Sequence, residues 1–173
     1  MGVRDPRFTR PSCGSKGEAV SCPMNNNRTG KDLTKEAPRS AKTSLGDYVI
    51  LARTLDKCRA LLWGDIGEYH FDCPLDNMLF GPMAIKGDDF KAQVESGASD
   101  DEMVNWVTNQ SKKSPEEVKA WSEQMMAANP YNDPEKRDWF VEQVSVYKLD
   151  PAKTTLFDWL DVDDKESYAM ANA

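Results

Sequence analysis

Long apolar runs and an excess of positive charge are both missing from this sequence of 173 residues. No run approaches the roughly 20 apolar residues that a membrane-spanning helix requires, and the first 30 residues contain no hydrophobic segment typical of a signal peptide. The chain carries 22 Lys and Arg against 29 Asp and Glu, for a net charge of −7. Nucleic acids and anionic membrane surfaces attract clustered basic residues instead. We therefore expect a soluble cytoplasmic protein that binds neither nucleic acid nor membrane.

Cysteine and histidine are scarce, with four and one residues respectively. Four cysteines are too few to indicate a disulfide scaffold at this length, so we expect no intramolecular disulfide among Cys13, Cys22, Cys58 and Cys73. A zinc site needs three or four ligands, and neither a second histidine nor a CxxC pair accompanies His70. Glycine-rich phosphate loops and serine nucleophile elbows are also missing. No metal or cofactor is therefore predicted.

Apolar periodicity is missing from residues 1–31, where Gly, Pro, Ser, Asn and basic residues are scattered. Such a segment buries too little surface to offset the entropy lost on ordering. We predict a disordered tail over residues 1–31, with Met24 as an alternative start of the chain. Five Trp, six Phe, five Tyr and eight Met are ample for one core. We predict one compact helical domain over residues 32–168 and a frayed C-terminus over residues 169–173.

Helix signals recur throughout the predicted domain and indicate a mainly α-helical fold. The first and central helix is expected over residues 46–63, with Ser44 as its N-cap and Gly64 as its stop. Its apolar residues recur at helical spacing, and they are Tyr48, Leu51, Ala52, Leu55, Cys58 and Leu62. Later helices are predicted from start signals at Asp88, Ser99, Ser114, Asp133 and Thr154 or Thr155.

One short segment, residues 67–73, alternates like a strand. Tyr69, Phe71 and Cys73 would point to one face, and His70 would point to the other. Pro74 ends the alternation, and one helical turn is expected over the residues that follow. The predicted fold therefore has at most one strand or extended segment.

Arg59 interrupts the apolar stripe of the central helix. A charge there must be paired, because an unpaired buried charge is very costly. We predict that Arg59 is substantially buried and paired with an acidic residue of the following segment, Asp72 or Asp76. Its neighbour Cys58 is expected to be an inert thiol that packs like a small apolar side chain.

Six short motifs resemble those of a family of small bacterial domains that carries only a domain-of-unknown-function label. The motifs are DLT at 32–34, APRS at 37–40, LGxY at 45–48, LAR at 51–53, DKxRA at 56–60 and GEYHFxCPLD at 67–76. The resemblance extends over about residues 31–168. It implies a shared fold, and it implies no activity.

Candidate site residues cluster around the lone histidine and the central helix. They are Arg39, Arg53, Asp56, Arg59, Tyr69, His70, Cys73 and Asp76. Histidine is the commonest general base, and cysteine a common nucleophile. Their odd spacing, however, would place His70 and Cys73 on opposite faces of a strand. We therefore predict ligand-binding candidates and assign no catalytic residue.

The densest basic group consists of Arg39, Arg53, Lys57 and Arg59. Arginine can bind a small carboxylate or phosphate through paired hydrogen bonds. The favoured interpretation is an internal ion-pair network, whose acidic members would be Asp56, Asp72 and Asp76. The acidic residues near the C-terminus lack the glycine of a calcium loop and are expected to form a solvated end; they are Asp158, Asp161, Asp163, Asp164 and Glu166.

Three function classes remain open at this point. The favoured one is a non-enzymatic accessory or protein-interaction domain, because no catalytic motif is assembled. The second is a binder of a small anion that uses the arginine-rich helix and residues 69–76. The third is a small enzyme that uses His70 and Cys73, or Asp56 and Arg59. A flat apolar face would favour the first class, an enclosed basic pocket the second, and a cleft holding His70 beside Cys73 the third.

Overall fold

The computed structural model describes residues 27–171. The predicted tail therefore lies outside the described residues over positions 1–26, together with Cys13, Cys22 and Met24. Residues 27–31 lie against the domain. The Asn27 amide donates to the Gly97 carbonyl at 3.5 Å, and the Lys31 carbonyl accepts from the Asp65 amide at 3.2 Å.

Residues 27–171 contain seven α-helices and one 3₁₀ turn, joined by turns and loops. The helices are α1 (Leu51–Trp63), α2 (Pro74–Phe80), α3 (Gly87–Glu95), α4 (Asp100–Ser111), α5 (Pro115–Met126), α6 (Arg137–Val146) and α7 (Leu156–Ala171), and the 3₁₀ turn is Pro130–Asn132. Over residues 27–171 there is no sheet, and two isolated bridges join Asp32 to Asp65 and Leu45 to Tyr48. The prediction of a mainly α-helical fold is confirmed. None of these helices is long and apolar enough to cross a membrane.

The central helix begins later than predicted. Leu45 and Tyr48 exchange backbone hydrogen bonds of 3.0 and 3.1 Å around a tight turn, in which Gly46 has a φ of 57°. Ile50 has a φ of 70°, and a right-handed helix cannot pass through such a residue. Helix α1 therefore starts at Leu51, and Ser44 is not its N-cap. Its end at Trp63, before Gly64, is as predicted.

The strand predicted over residues 67–73 is wrong. Gly67 and Asp72 have φ angles of 56° and 59°, which break an extended chain at both ends of the segment. The Asp65 carboxylate accepts from the Gly67 amide at 2.9 Å, and the Ile66 carbonyl accepts from the Tyr69 amide at 3.1 Å. These local turns replace the hydrogen bonds that a partner strand would supply. The helical turn expected next is present as α2.

Later helices begin largely where their local signals predict. Ser99 and Ser114 are N-caps of α4 and α5, and each forms a capping box with the glutamate three residues on. Thr155 and Asp158 exchange hydrogen bonds at the start of α7. The helix predicted from Asp133 starts only at Arg137, because residues 133–136 form a separate turn.

Helix α1 lies at the centre of the core. Its apolar residues Leu51, Leu55 and Cys58 are fully buried. An aromatic cluster lies in the same core, with ring centroids 5.1 to 6.1 Å apart, and consists of Phe71, Phe80, Phe90 and Trp106. Because α1 lies at the centre of the core, several of its polar side chains are buried along with its apolar ones. These buried polar side chains form the candidate site.

Candidate functional site

Three charged side chains of α1 are buried in the domain. Arg53, Asp56 and Lys57 are 3%, 5% and 2% exposed. Residues three and four positions apart share a helix face, so these three charged residues lie close together on α1. Each must have a partner, since an isolated buried charge is very unfavourable. The structure supplies each partner from a different segment.

Arg53 is paired with Asp164 of α7. Its two terminal nitrogens donate to the two Asp164 carboxylate oxygens at 2.6 and 3.0 Å. The Tyr69 hydroxyl donates to the same carboxylate at 2.8 Å, and the guanidinium lies 5.5 Å from the Tyr69 ring centroid. Burial lowers the pKa of Arg53, but the Asp164 carboxylate raises it by more. The pair holds α7 and Tyr69 against α1.

The prediction of a solvated acidic C-terminus is wrong for several of its members. Asp164 is 7% exposed and carries the ion pair with Arg53. Asp158 and Asp161 both pair with Lys42, at 2.6 and 3.0 Å. The Asp163 carboxylate accepts from the Tyr147 hydroxyl at 2.6 Å. Helix α7 directs these carboxylates towards the domain, where basic and phenolic groups stabilise them.

Lys57 is a nearly buried ammonium with three acceptors. Its Nζ lies 2.8 Å from the Asp76 carboxylate, 3.0 Å from the His70 carbonyl and 3.2 Å from the Cys73 sulfur. Asp76 is fully buried and also accepts from the Thr54 hydroxyl at 2.8 Å. Lysine has three donor hydrogens, so these contacts use its full capacity. Lys57 thereby anchors the irregular segment before α2 to the central helix.

Arg59 is substantially buried as predicted, with 14% of its side chain exposed, but the predicted partner is wrong. It donates to Asp100 at 2.6 Å and to the Ala98 carbonyl at 3.0 Å. Neither predicted partner contacts Arg59, since Asp76 pairs with Lys57 and Asp72 accepts from the Asn77 amide at 3.0 Å. Lys57 and Arg59 also lie about 200° apart around the helix.

Asp56 connects α1 to a third segment, which contains Arg39. Arg39 donates to it from Nε at 3.0 Å and from a terminal nitrogen at 2.8 Å. The other terminal nitrogen of Arg39 reaches Asp100 at 2.7 Å, so Asp100 bridges Arg39 and Arg59. Burial raises the pKa of Asp100, but the two arginines lower it by more. The predicted internal ion-pair network is present at Asp56 and Asp76, with Asp100 and Asp164 as members that the prediction did not include.

The eight candidate residues fall into two groups. Four of them, Arg53, Tyr69, His70 and Cys73, line a cleft of about 670 Å³. Asp76 does not line the cleft itself, but it accepts a hydrogen bond from Lys57, which does. The remaining three, Arg39, Asp56 and Arg59, line a separate cavity of about 490 Å³ on another side of α1. The cleft is lined by Leu33, Thr34, Arg53, Lys57, Gly67, Glu68, Tyr69, His70, Cys73, Leu75, Leu160, Asp163, Asp164, Ser167 and Tyr168.

His70 and Cys73 both line the cleft, although the strand prediction places them on opposite faces. The turns that replace the strand place both residues on the lining of one cleft. Sequence reasoning missed the contributions of α7, because Asp163, Asp164 and Tyr168 are about a hundred positions from Tyr69. Their clustering in an acidic segment was visible, but nothing local indicated that the segment packs against α1.

The two cysteines of the described residues differ in their surroundings. Cys58 is fully buried in the core, and burial raises its pKa to about 12, as the prediction of an inert thiol requires. Cys73 is half-buried and lines the cleft beside Lys57. Both are free thiols. Over residues 27–171, no group of three or more His, Cys, Asp or Glu side chains has a geometry that could hold a metal ion.

Comparison with known proteins adds a family and no activity. No curated protein matches the chain. The family model described as a domain of unknown function, DUF5069, matches residues 35–166, which include α1 to α6 and most of α7. The cleft lies almost wholly within this range, with only Leu33, Thr34, Ser167 and Tyr168 outside it. Because the match covers more than half of the chain, this protein belongs to the DUF5069 family.

Proposed function

We propose that this protein binds a small molecule in the cleft between α1, the segment before α2, and α7. The proposed ligand is neutral or cationic, carries hydrogen-bond donors and has a short hydrocarbon body. The choice of a neutral or cationic ligand rests on one observation. Both cations of the cleft, Arg53 and Lys57, are already bonded to buried carboxylates.

Charge in the cleft supports a donor-bearing ligand. Its lining includes two basic and three acidic side chains. Asp163 uses Oδ1 to accept from Tyr147, and its Oδ2 has no hydrogen bond among the described residues. Glu68 is exposed on the same lining. An incoming ammonium or hydroxyl would meet acceptors here, whereas a carboxylate would meet like charge.

Apolar residues of the cleft complement the hydrocarbon body of the proposed ligand. Leu33, Leu75 and Leu160 lie on the lining and offer contact area for a hydrocarbon body. Small-molecule sites combine such a surface with a few placed polar groups. The volume of about 670 Å³ suits a ligand of drug-like size.

Three probes with a common body test the proposal. Phenethylammonium, phenethyl alcohol and 3-phenylpropionate share a phenyl ring and differ in the charge of the polar end. We expect the cation and the alcohol to perturb backbone amide resonances of cleft residues in NMR titrations of the full chain. We expect the carboxylate to bind more weakly. Absence of binding by all three, or preferential binding of the carboxylate, would contradict the proposal.

A pair of variants on α7 provides the control. Ser167→Trp fills the cleft from its rim, because Ser167 is exposed on the lining. Ala169→Trp adds the same side chain to the same helix at an exposed position outside the lining. We expect only Ser167→Trp to weaken binding of phenethylammonium. Equal affinities for the two variants would place the binding elsewhere.

The protein-interaction alternative stays a prediction. Trp139 and Val146 are 44% and 70% exposed, and seven positions apart on α6 they share a face. Single exposed apolar side chains are common on protein surfaces. Trp139 and Val146 therefore do not by themselves indicate a protein-binding surface, and we favour the cleft as the functional site.

A further inference from the structure

A second cavity, separate from the cleft, is lined mainly by charged side chains. Its volume is about 490 Å³. The charged residues of its lining are three basic and three acidic, and they are Lys31, Arg39, Arg59, Glu36, Asp56 and Asp100. Formal charges therefore balance in this cavity, whereas acidic side chains are in excess in the cleft.

Arg59 has hydrogen-bond donors to spare in this cavity. An arginine side chain has five N–H donors. Arg59 donates from one terminal nitrogen to Asp100 and from the other to the Ala98 carbonyl. Its Nε is buried and has no acceptor among the described residues. A buried donor without an acceptor is unusual in a folded protein, so the acceptors of the chain itself do not satisfy this lining.

Lys31 makes ion pairs here without a hydrogen bond to any described residue. Its Nζ lies 3.4 Å from Glu36 and 3.6 Å from Asp56, and both distances exceed the usual range of a hydrogen bond. The neighbouring Gly30 lies so close to α1 that a Cβ on it would be 2.2 Å from the Arg59 carbonyl oxygen. This close approach holds the backbone of Lys31 beside the cavity, with an ammonium whose donors are unused.

Glu36 is the least firmly held carboxylate of the lining. The other two, Asp56 and Asp100, both accept hydrogen bonds from Arg39. The Glu36 side chain has only the Lys31 ammonium as a partner among the described residues, and it is 58% exposed. Exposed ion pairs of this kind are weak. Glu36 is therefore the carboxylate that can leave the cavity most easily.

We propose that this cavity binds a small monoanionic carboxylate, which takes the place of the Glu36 carboxylate beside Lys31. When Glu36 turns out to solvent, the remaining lining has one positive charge more than it has negative charges. A monoanion restores the balance and accepts charge-assisted hydrogen bonds from the ammonium. The Glu36 side chain thus competes with the ligand as an internal stand-in. The inference is independent of the proposed function, because the site and the charge of the ligand both differ.

NMR titrations of the full chain test the ligand class. The probes are propionate, which has the same charged end as a glutamate side chain, propylammonium and inorganic phosphate. Ionic strength is kept constant with sodium chloride, since salt screens exposed charges. We expect propionate to give saturable shifts of the Gly30, Lys31 and Arg59 amides, and to bind more tightly than phosphate. No saturable shift, an equal effect of propylammonium, or tighter binding of phosphate would overturn the proposal.

Charge-removing variants test the roles of Glu36 and Lys31. Glu36→Gln removes the competing carboxylate and should tighten propionate binding by about threefold. Lys31→Met should weaken it by at least the same factor. The matched controls are Glu116→Gln and Lys119→Met, which remove the same charges at exposed positions of α5 and should leave the affinity unchanged. Unchanged affinity in Glu36→Gln, or in Lys31→Met, would contradict the proposed exchange.

Different amides separate this inference from the proposed function. Tyr69 and Asp163 line only the cleft, whereas Gly30 and Arg59 line only the second cavity. Propionate shifts at Gly30 and Arg59 support this inference even if phenethylammonium leaves Tyr69 and Asp163 unaffected. Propionate shifts confined to Tyr69 and Asp163 would overturn it.

Discussion

Arg53 and Asp164 form a buried bidentate ion pair between residues 111 positions apart in the sequence. The pair joins the central helix to the last helix and forms one wall of the cleft. Lys57 and Asp76 make the equivalent connection between α1 and α2. Arg53 and Lys57 of α1 therefore hold in place the segments that line the cleft.

The Arg53–Asp164 pair is expected to be required for stability. Arg53→Met keeps a long side chain but leaves Asp164 buried without its cation. Breaking a buried pair in this way costs about 3–5 kcal/mol. Urea denaturation of Arg53→Met should show a loss of this size. The variant Arg53→Met with Asp164→Leu should recover part of the lost stability, and a single variant as stable as wild type would contradict the account.

The contact between Asp158 and Lys42 should produce a measurable pH dependence. A hydrogen bond from Lys42, followed by one from Thr155, lowers the pKa of Asp158 from 3.8 to about 2 in the folded state. A lowered pKa stabilises the fold at pH values above 3.8, and that contribution is lost as the pH falls towards 2. The stability difference between wild type and Asp158→Asn, measured by denaturation, should shrink across this window. A difference that stays constant would argue against the contact.

Arg59 should be coupled energetically to Asp100 and not to Asp76. A double-mutant cycle of Arg59→Met with Asp100→Asn is expected to give a coupling of about 0.5–3 kcal/mol. The matched cycle of Arg59→Met with Asp76→Asn should be additive within about 0.5 kcal/mol. The reverse pattern would restore the pairing expected from the sequence.

Gly64 should not tolerate a side chain. A Cβ at this position would lie 2.2 Å from the Lys31 carbonyl oxygen, which belongs to the backbone and cannot rotate away. Gly64→Ala must therefore separate residues 30–31 from the end of α1, and we expect a lower melting temperature. Gly81→Ala is the matched control, since its nearest neighbour would be the Asn77 oxygen at 3.1 Å. Equal melting temperatures for the two variants would contradict the close approach.

Local signals in the sequence are sufficient to predict much of the fold. Ser99 and Ser114 mark the starts of α4 and α5, because a capping box depends only on residues three positions apart. The strand over residues 67–73 was mispredicted for a related reason. Alternation shows which side chains could share a face, but a strand also requires a partner for its backbone.

The site depended on contacts that no local pattern encodes. The partner of Arg59 is Asp100, which is 41 positions away and was recognised only as part of a helix start. The sequence predicts that the carboxylates of α7 are solvated, since an acidic segment alone gives no sign of the basic groups that it meets. The residues around His70 can be predicted as a site because they lie close together in the sequence. They form one side of the cleft, opposite α7.

The most direct test of the central claim is a crystal structure of the full chain soaked with phenethylammonium. We predict the ligand in the cleft, with its ammonium within hydrogen-bond distance of Asp163 or Glu68 and its ring against the leucines of the lining. A ligand found in the cavity lined by Arg39, Asp56 and Arg59, or no bound ligand at a saturating concentration, would contradict the proposal.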